Sequence, residues 1–202
     1  NKASKQIPYW SVEETFKDVQ NNIIDSSEEE ICDILNETLI KVIKNQSVAD
    51  VPVGAFLSGG IDSSTVVAIM QSISKEKIRT FTIGSNDKVF DESTYAKKVA
   101  KYIGTDHTEL FVSSNDVLNT IPLLPKIYDE PFADCSQIPT FLISKLAKKD
   151  VKVVITGDGA DELFGGYNRY LLTNKLWNKS RYFPTFFRRY FAKFVYKIPE
   201  DL

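Results

Sequence analysis

The feature that most constrains the fold is the junction at residues 53–64, where an apolar segment runs into a glycine-rich turn and then into a second apolar segment. The apolar run that ends at Leu57 is typical of a central parallel strand, and the uncharged run at 65–70 predicts a helix. Between them, Gly59 and Gly60 are free to adopt positive φ, so backbone amides can approach an anion closely. The first amides of the following helix lack partners and add their dipole. The junction therefore predicts a strand, a phosphate-binding loop and a helix.

The polar side chains of this junction indicate a phosphate site that also needs a cation. Ser58, Ser63 and Ser64 supply hydroxyl donors. Asp62 would repel a phosphate unless a cation lies between them, and Mg²⁺ typically binds through one or two carboxylates together with substrate phosphates. The alternative is that Asp62 only caps the helix and the glycines only turn the chain. The unbroken order of strand, glycine pair, acid and serines favours the phosphate site.

Length and composition restrict the class of protein. With 202 residues and 43% hydrophobic content, the chain can bury one sizeable core, which predicts one domain or slightly more. The 25 basic and 27 acidic residues nearly balance, so nothing in the charge indicates nucleic acid. Cys32 and Cys135 are far apart, which predicts neither a disulfide framework nor a zinc site and favours the cytoplasm. No apolar run reaches the roughly 20 residues that span a bilayer, so we expect no membrane partner.

The rest of the chain alternates predicted strands with predicted helices. Ser27 and Glu30 form a capping box that predicts a helix over the following apolar periodicity. Further strands are predicted at 79–83, 108–112 and 151–156, and further helices at 91–103, 115–124 and 139–149. This alternation predicts an α/β fold, a doubly wound parallel sheet with helices on both faces. Residues 1–25 are predicted to form a linker or edge segment.

A second polar cluster follows the last predicted strand. Gly157 to Tyr167 contains three acids within five residues, Asp158, Asp161 and Glu162, bracketed by glycines. Ligands of open parallel sheets bind beyond the carboxyl ends of the strands. This segment and residues 58–64 should therefore lie together at that edge of the sheet, which we call the rim. The alternative is a solvated, glycine-rich turn. Because this segment is expected opposite a phosphate loop that needs a cation, a metal or acid-base site is favoured over such a turn.

Both motifs resemble those of a known family. Ser58-Gly59-Gly60-Ile61-Asp62-Ser63 is similar to the pyrophosphate loop of the ATP pyrophosphatases (PP-loop superfamily). Together with Gly157-Asp158-Gly159-Ala160-Asp161-Glu162-Leu163-Phe164-Gly165-Gly166-Tyr167, it resembles the glutamine-hydrolysing asparagine synthetases. Supporting matches are Phe90-Asp91-Glu92-Ser93, Gly104-Thr105-Asp106-His107 and Asp129-Glu130-Pro131-Phe132-Ala133-Asp134.

The resemblance implies an activity and a domain order. Residues 26–202 would form the synthetase domain, with an adenine nucleotide alpha hydrolase-like fold, truncated at its C-terminus. Residues 1–25 would link it to an N-terminal glutaminase domain that supplies ammonia. The family are ligases that adenylate the side-chain carboxylate of aspartate with ATP and let ammonia displace AMP. Oligomeric state stays open, with a homodimer as one alternative.

The resemblance also implies residue roles. Asp62 and Asp161 would hold the Mg²⁺ on the pyrophosphate, and Asp158 would take a proton from the attacking ammonium. Asp158 stands where many family members have Glu, so its side chain is one methylene shorter. The phosphates would contact Ser58, Gly59, Gly60, Ser63 and Ser64. Adenine would meet the backbone near Leu57, Ile83 and Gly157.

Other readings of the chain stay open at this stage. One alternative is a family relative that acts on another carboxylate, in surface-sugar or β-lactam synthesis. Another is a module that binds a nucleotide without turnover. A tRNA-modifying enzyme would use the basic, aromatic segment 169–197, although its spacing favours an amphipathic helix. His107 is expected to make a structural or substrate-side hydrogen bond. Four polar residues fit either a pocket for aspartate or a turn of the chain: Asp129, Glu130, Asp134 and Gln137.

Overall fold

The computed structural model of the chain describes residues 7–85, 91–131 and 133–195. Helices alternate with strands through most of this length. In chain order the elements are α1 (Val12–Asn21), α2 (Glu28–Gln46), β1 (Val53–Phe56), α3 (Ile61–Ile73), β2 (Arg79–Ser85), α4 (Ser93–Ile103), β3 (Asp106–Val112), α5 (Ser114–Thr120), a 3₁₀ turn (Ile121–Leu123), α6 (Leu124–Ile127), α7 (Gln137–Ala147), β4 (Val153–Ile155), α8 (Ala160–Phe164), α9 (Asn168–Ser180) and α10 (Thr185–Val195).

The strands form a parallel sheet in the order β3-β2-β1-β4. Gly54 of β1 pairs with Arg79 of β2 on one side and with Val154 of β4 on the other. The chain therefore leaves β1 in one direction to build β2 and β3, and returns past β1 to build β4. In such sheets the carboxyl ends of the two strands that flank the reversal enclose the crevice where ligands bind.

Helices cover both faces of the sheet, each over its own cluster of apolar side chains. On one face, Leu57 of the segment after β1 packs with Val67 and Met70 of α3 and Ala96 of α4, all at most 2% exposed. On the other face, Phe81 of β2 packs with residues of α7 and of the segment after it. Alternate residues of each strand face opposite sides. The predicted doubly wound α/β fold is confirmed.

Element boundaries follow the predicted signals closely. The capping box of α2 is present in both directions, with Ser27 accepting from the Glu30 amide and Glu30 accepting from the Ser27 amide. Helix α4 ends at Gly104, whose φ of 88° is the left-handed cap expected of glycine. Helix α7 begins two residues before Pro139, which lies in the first turn, where a missing amide costs no helical hydrogen bond.

Three segments differ from the predicted pattern. Residues 1–25, predicted to be a linker, include α1, a helix none of whose residues is buried. Strand β3 begins at Asp106, because its amide donates to the Ile78 carbonyl at 2.9 Å and extends the pairing with β2. Helix α9 was not predicted, since its apolar residues do not recur on one stripe.

Helices α9 and α10 carry an apolar surface that the described residues leave exposed. The helix predicted within 169–197 is α10. Four of its aromatic side chains are 60 to 72% exposed: Phe186, Phe187, Tyr190 and Phe191. The Arg188 guanidinium lies 5.3 Å from the Trp177 ring centroid and joins the two helices. Within the described residues, no helix is both long enough and apolar enough to span a membrane.

Candidate functional site

The glycine pair after β1 is shaped by the helix that packs on it. Gly59 has a φ of 85°, as predicted for a tight turn. A side chain there would place its Cβ 2.6 Å from the Ala96 amide nitrogen and 2.8 Å from Tyr95, so the first turn of α4 presses on the loop. Gly60 has a φ of −69° and is the N-cap of α3. Of the two glycines that are free to adopt positive φ, only Gly59 does so.

Two of the predicted hydroxyl donors hold the loop together. The Ser58 and Ser63 hydroxyls lie 2.9 Å apart and hydrogen bond to each other. The Ser58 amide donates to the Ser63 hydroxyl at 3.2 Å, and the Gly60 amide donates to the Ser58 hydroxyl at 3.3 Å. The Ser64 hydroxyl is buried and finds no partner among the residues that the structure describes. Since an unpaired buried hydroxyl costs about 1–3 kcal/mol, Ser64 favours a partner from a ligand or water.

The start of α3 fits an anion. Its N-cap residue, Gly60, has no side chain and so leaves the first amides of the helix uncapped. Asp62 lies half-buried in this first turn. Uncapped amides, a positive dipole end and a nearby carboxylate together suit a phosphate that arrives with a cation.

The loop after β4 reaches the start of α3. A Cβ on Gly157 would lie 2.9 Å from the Ser63 amide nitrogen, 3.0 Å from the carbonyl carbon of Asp62 and 3.2 Å from its Cβ. Only glycine allows the two loops to approach this closely. The predicted shared rim is therefore present, with Gly157 against the residues that open α3.

The acids of this second loop have different surroundings. Asp158 is exposed, and its carboxylate accepts a hydrogen bond from the Thr156 hydroxyl at 3.0 Å. The same hydroxyl accepts from the Asp158 amide at 3.3 Å, so Thr156 holds Asp158 from two sides. Asp161 is half-buried in the first turn of α8, and its carboxylate lies against the backbone of Gly166. A side chain at position 166 would displace that carboxylate.

A metal ion would need ligands from outside the chain. Within residues 7–85, 91–131 and 133–195, no three His, Cys, Asp or Glu side chains converge to hold a metal ion. Mg²⁺ needs only one or two carboxylates when substrate phosphates supply other oxygens. Asp62 and Asp161 fit that donor set, and their role as ligands stays a prediction.

The residues predicted near adenine lie at the carboxyl ends of three adjacent strands. Leu57 follows β1, and its amide donates to the Phe81 carbonyl at 2.9 Å. Ile83 lies in β2, and Gly157 follows β4. Ile83 also lines a cavity of about 350 Å³, bounded by Ser113 at the end of β3 and Pro139 of α7. The space beyond the carboxyl end of β2, next to Ile83, is therefore open.

His107 and Asp134 each make a structural hydrogen bond, and an aspartate pocket that includes Asp134 stays a prediction. His107 lies near the amino end of β3, away from the rim, with its Nδ1 2.9 Å from the Thr80 hydroxyl. Asp134 accepts from the Ser136 amide at 2.8 Å, in the turn that leads into α7. Hydrogen bonds from the Ser136 side chain, and to a smaller extent from its amide, lower the pKa of Asp134.

Sequence reasoning missed a cluster beside the second loop. The Tyr167 hydroxyl donates to the Glu162 carboxylate, and the Arg169 guanidinium lies 4.2 Å from the Tyr167 ring centroid. The hydrogen bond lowers the pKa of Glu162 and raises that of Tyr167. The available signal was Tyr-Asn-Arg-Tyr directly after the glycine pair at 165–166, where aromatic residues flank a single cation.

Comparison with known proteins places these motifs in a family. The model of the asparagine synthase family matches residues 34–200. A putative asparagine synthetase (glutamine-hydrolyzing) 2 from Methanocaldococcus jannaschii is 46% identical over 134 residues, which cover 66% of this chain and 26% of that protein. Asparagine synthetase (glutamine-hydrolyzing) 1 from Bacillus subtilis is 36% identical over 155 residues, or 77% of this chain and 24% of that protein.

The chain spans about a quarter of the length of these curated relatives. An NH3-dependent NAD synthetase from Campylobacter jejuni has a TM-score of 0.47 and 16% identity, covering 67% of this chain and 60% of that chain. The family match itself extends from α2 to beyond α10 and includes both glycine-rich loops. The chain belongs to the asparagine synthase family.

Proposed function

We propose that the chain is the ATP-binding synthetase part of an enzyme that amidates aspartate to asparagine. The observation that carries the proposal is the approach of Gly157 to Asp62 and Ser63. It places an acid-rich loop beside an uncapped helix start, so a nucleotide and a carboxylate acceptor can meet at one rim. The relatives' name, asparagine synthetase, supplies the acceptor and the product.

The first loop binds and orients the nucleotide. The first amides of α3 and the Ser64 hydroxyl would donate to the pyrophosphate, while Ser58 and Ser63 keep the loop in shape. The adenine would lie against the backbone near Leu57, Ile83 and Gly157. Asp62 and Asp161 would hold Mg²⁺, which neutralises phosphate charge when bound.

The second loop would serve the reaction of ammonia. Transfer of AMP to the side chain of aspartate would give β-aspartyl-AMP and release pyrophosphate, and ammonia would then displace AMP. Asp158 is our candidate for taking the proton that the attacking nitrogen loses. Its exposure leaves it open to a substrate, and Thr156 fixes its orientation. In a reducing cytoplasm, a glutaminase domain would supply the ammonia.

The test is aspartate-dependent pyrophosphate release from ATP and Mg²⁺ with ammonia, measured on the protein at its natural length. Asp62→Asn should reduce release at least about a hundredfold, because a metal ligand is lost. Asp158→Asn should lower kcat with little change in the KM for ATP. The matched control is Asp50→Asn, an exposed acid before β1 at the opposite edge of the sheet.

Two outcomes would count against the proposal. If ATP binds but aspartate changes nothing, aspartate is not the acceptor. If Asp62→Asn releases pyrophosphate as fast as the wild type, Asp62 does not bind the metal.

A further inference from the structure

Arg169 is held in place beside the acid-rich loop with its hydrogen-bonding capacity unused. Its guanidinium lies 4.2 Å from the ring centroid of Tyr167 and 5.6 Å from that of Tyr170. These two rings contact edge to face, with centroids 5.7 Å apart. Stacking on tyrosine fixes the plane of a guanidinium without consuming its five N–H donors. Among the residues that the structure describes, none accepts a hydrogen bond from Arg169 or forms an ion pair with it.

Two hydrogen bonds link the segment before Arg169 to the acid-rich second loop. Helix α8 ends at Gly165, and the Gly166 amide donates to the Asp161 carbonyl at 3.1 Å, so the chain turns tightly back. Tyr167 then donates its hydroxyl to Glu162. Tyr167 directly follows Gly166, against whose backbone the Asp161 carboxylate lies. The ring that carries Arg169 is therefore close to the predicted metal ligand.

An anionic acceptor faces an electrostatic problem at this rim. Asp62, Asp158, Asp161 and Glu162 all contribute negative charge there. A carboxylate that is to be activated loses its charge in the reaction, but any other anionic group of the acceptor keeps it. That group needs a positive, planar partner, and the guanidinium fork matches carboxylate and phosphate oxygens bidentately.

We propose that Arg169 binds a second anionic group of the acceptor, one that is not activated by ATP. For aspartate, this group is the α-carboxylate. For an acceptor built on a sugar nucleotide, it is a phosphate. The inference rests on one part of the proposed function, namely that a carboxylate acceptor reacts at this rim.

The test uses two pairs of acceptors that differ in the second anion. β-Alanine is aspartate without its α-carboxylate, and glucuronate is UDP-glucuronate without its UDP group, which removes the uridine together with the phosphates. Pyrophosphate release from ATP gives a KM for each compound with the protein at its natural length. Calorimetric binding of the same four compounds makes the same comparison without turnover. The variants are Arg169→Gln and Arg169→Lys.

The wild type should prefer the two-anion member of one pair by about tenfold to a hundredfold, the usual worth of a charged hydrogen bond. Arg169→Gln should abolish this preference, with the KM for ATP and the one-anion compound unchanged. Arg169→Lys should restore part of it, because lysine keeps the charge but lacks the fork. A purely structural role would change all four compounds alike.

The matched control is Arg181→Gln. Arg181 is also exposed and stacked, 5.0 Å from the Tyr182 ring centroid, but it lies at the other end of α9, about 18 Å along the helix. It should leave the preference intact.

The outcomes separate the two proposals. A preference that survives Arg169→Gln, or a wild type that prefers neither two-anion compound, overturns the role of Arg169. The wild type could prefer UDP-glucuronate over glucuronate but not aspartate over β-alanine. If Arg169→Gln abolishes that preference, the proposed role of Arg169 is supported and aspartate is contradicted as the acceptor. Aspartate-dependent release that is indifferent to Arg169 supports the proposed function and rejects this inference.

Discussion

Individual side chains of the phosphate-binding loop divide into those that shape it and those that remain available. Gly59 is required because α4 packs against it, whereas Gly60 has only the Ser58 hydroxyl near its Cβ position, at 3.4 Å. Ser58 and Ser63 bond to each other, and Ser64 is left over. The sequence suggests five equivalent phosphate contacts, and the fold assigns them different tasks.

His107 provides a prediction about stability and pH. Its side chain is 9% exposed, and burial lowers its pKa, partly opposed by the charge of Glu109 and reinforced by that of Lys97. The folded protein therefore binds a proton at His107 less readily than the unfolded chain, whose histidine titrates near 6.5. This stability is fully present above pH about 6.5 and is lost as pH falls through the folded pKa.

The measurement is the free energy of unfolding in urea at several pH values between 7.5 and 5. We expect the wild type to lose more stability over this interval than His107→Gln, which carries no titrating group. Acids whose pKa is lowered, such as Asp91 and Asp116, lose their contribution below this window. Equal pH dependence in the two proteins would contradict the prediction.

Two strand-loop-helix units build the rim, and their contact is more informative than either unit alone. The first runs from β1 into α3 and the second from β4 into α8. They are adjacent because β4 pairs directly with β1, although about 100 residues separate them. Gly157 is the point where their backbones meet.

Gly157→Ala should uncouple these units. The added Cβ overlaps the Ser63 amide and the Asp62 carbonyl carbon, so one loop must shift. We expect a stability loss of about 1–3 kcal/mol from overpacking and at least about a tenfold weaker affinity for ATP, measured by calorimetry.

The control for backbone effects is Gly104→Ala, since Gly104 has a φ of 88° and open space around its Cβ position. It should cost about 1–2 kcal/mol from the left-handed conformation and leave ATP affinity unchanged. If Gly157→Ala binds ATP as tightly as Gly104→Ala, the contact between the loops does not support nucleotide binding.

The molecule as a whole carries more exposed apolar surface than its sheet core explains. Helices α9 and α10 present aromatic side chains to solvent, and helix α2 exposes Ile31, Ile34 and Val42 by 41 to 45%. Large exposed apolar patches are rare on monomeric soluble proteins, and they mark interaction surfaces or promote aggregation. The sequence predicts the helical stripe of α10 but not what covers it.

We therefore expect this 202-residue chain to self-associate as its concentration rises, measured by sedimentation velocity. Phe186→Ser combined with Phe191→Ser should weaken the association, because both side chains are more than half exposed. The free energy of unfolding should change by less than about 0.5 kcal/mol, as for other surface substitutions. Val67→Ser, a fully buried position of α3, should instead destabilise the fold. A chain that stays monomeric at every concentration would contradict this prediction.

The alternating strands and helices, the capping box of α2, the Gly104 stop and both glycine-rich loops could be predicted from the sequence, because each depends on residues close together in the chain. Periodicity, cap chemistry and backbone freedom are local properties. Helix α9 could not be predicted, because its apolar residues form no clear stripe along one face. The start of β3 at Asp106 could not be predicted either, because it depends on pairing with β2.

The site shows the same division. Residue types and their spacing were enough to identify Ser58 to Ser64 and Asp158 to Asp161 as candidates, since phosphate and metal chemistry restrict which side chains serve. The packing of α4 on Gly59, the meeting of Gly157 with Ser63 and the stacking of Arg169 on Tyr167 required the folded chain. Close approach of distant backbones and the orientation of a flexible side chain depend on long-range packing, which no local pattern encodes.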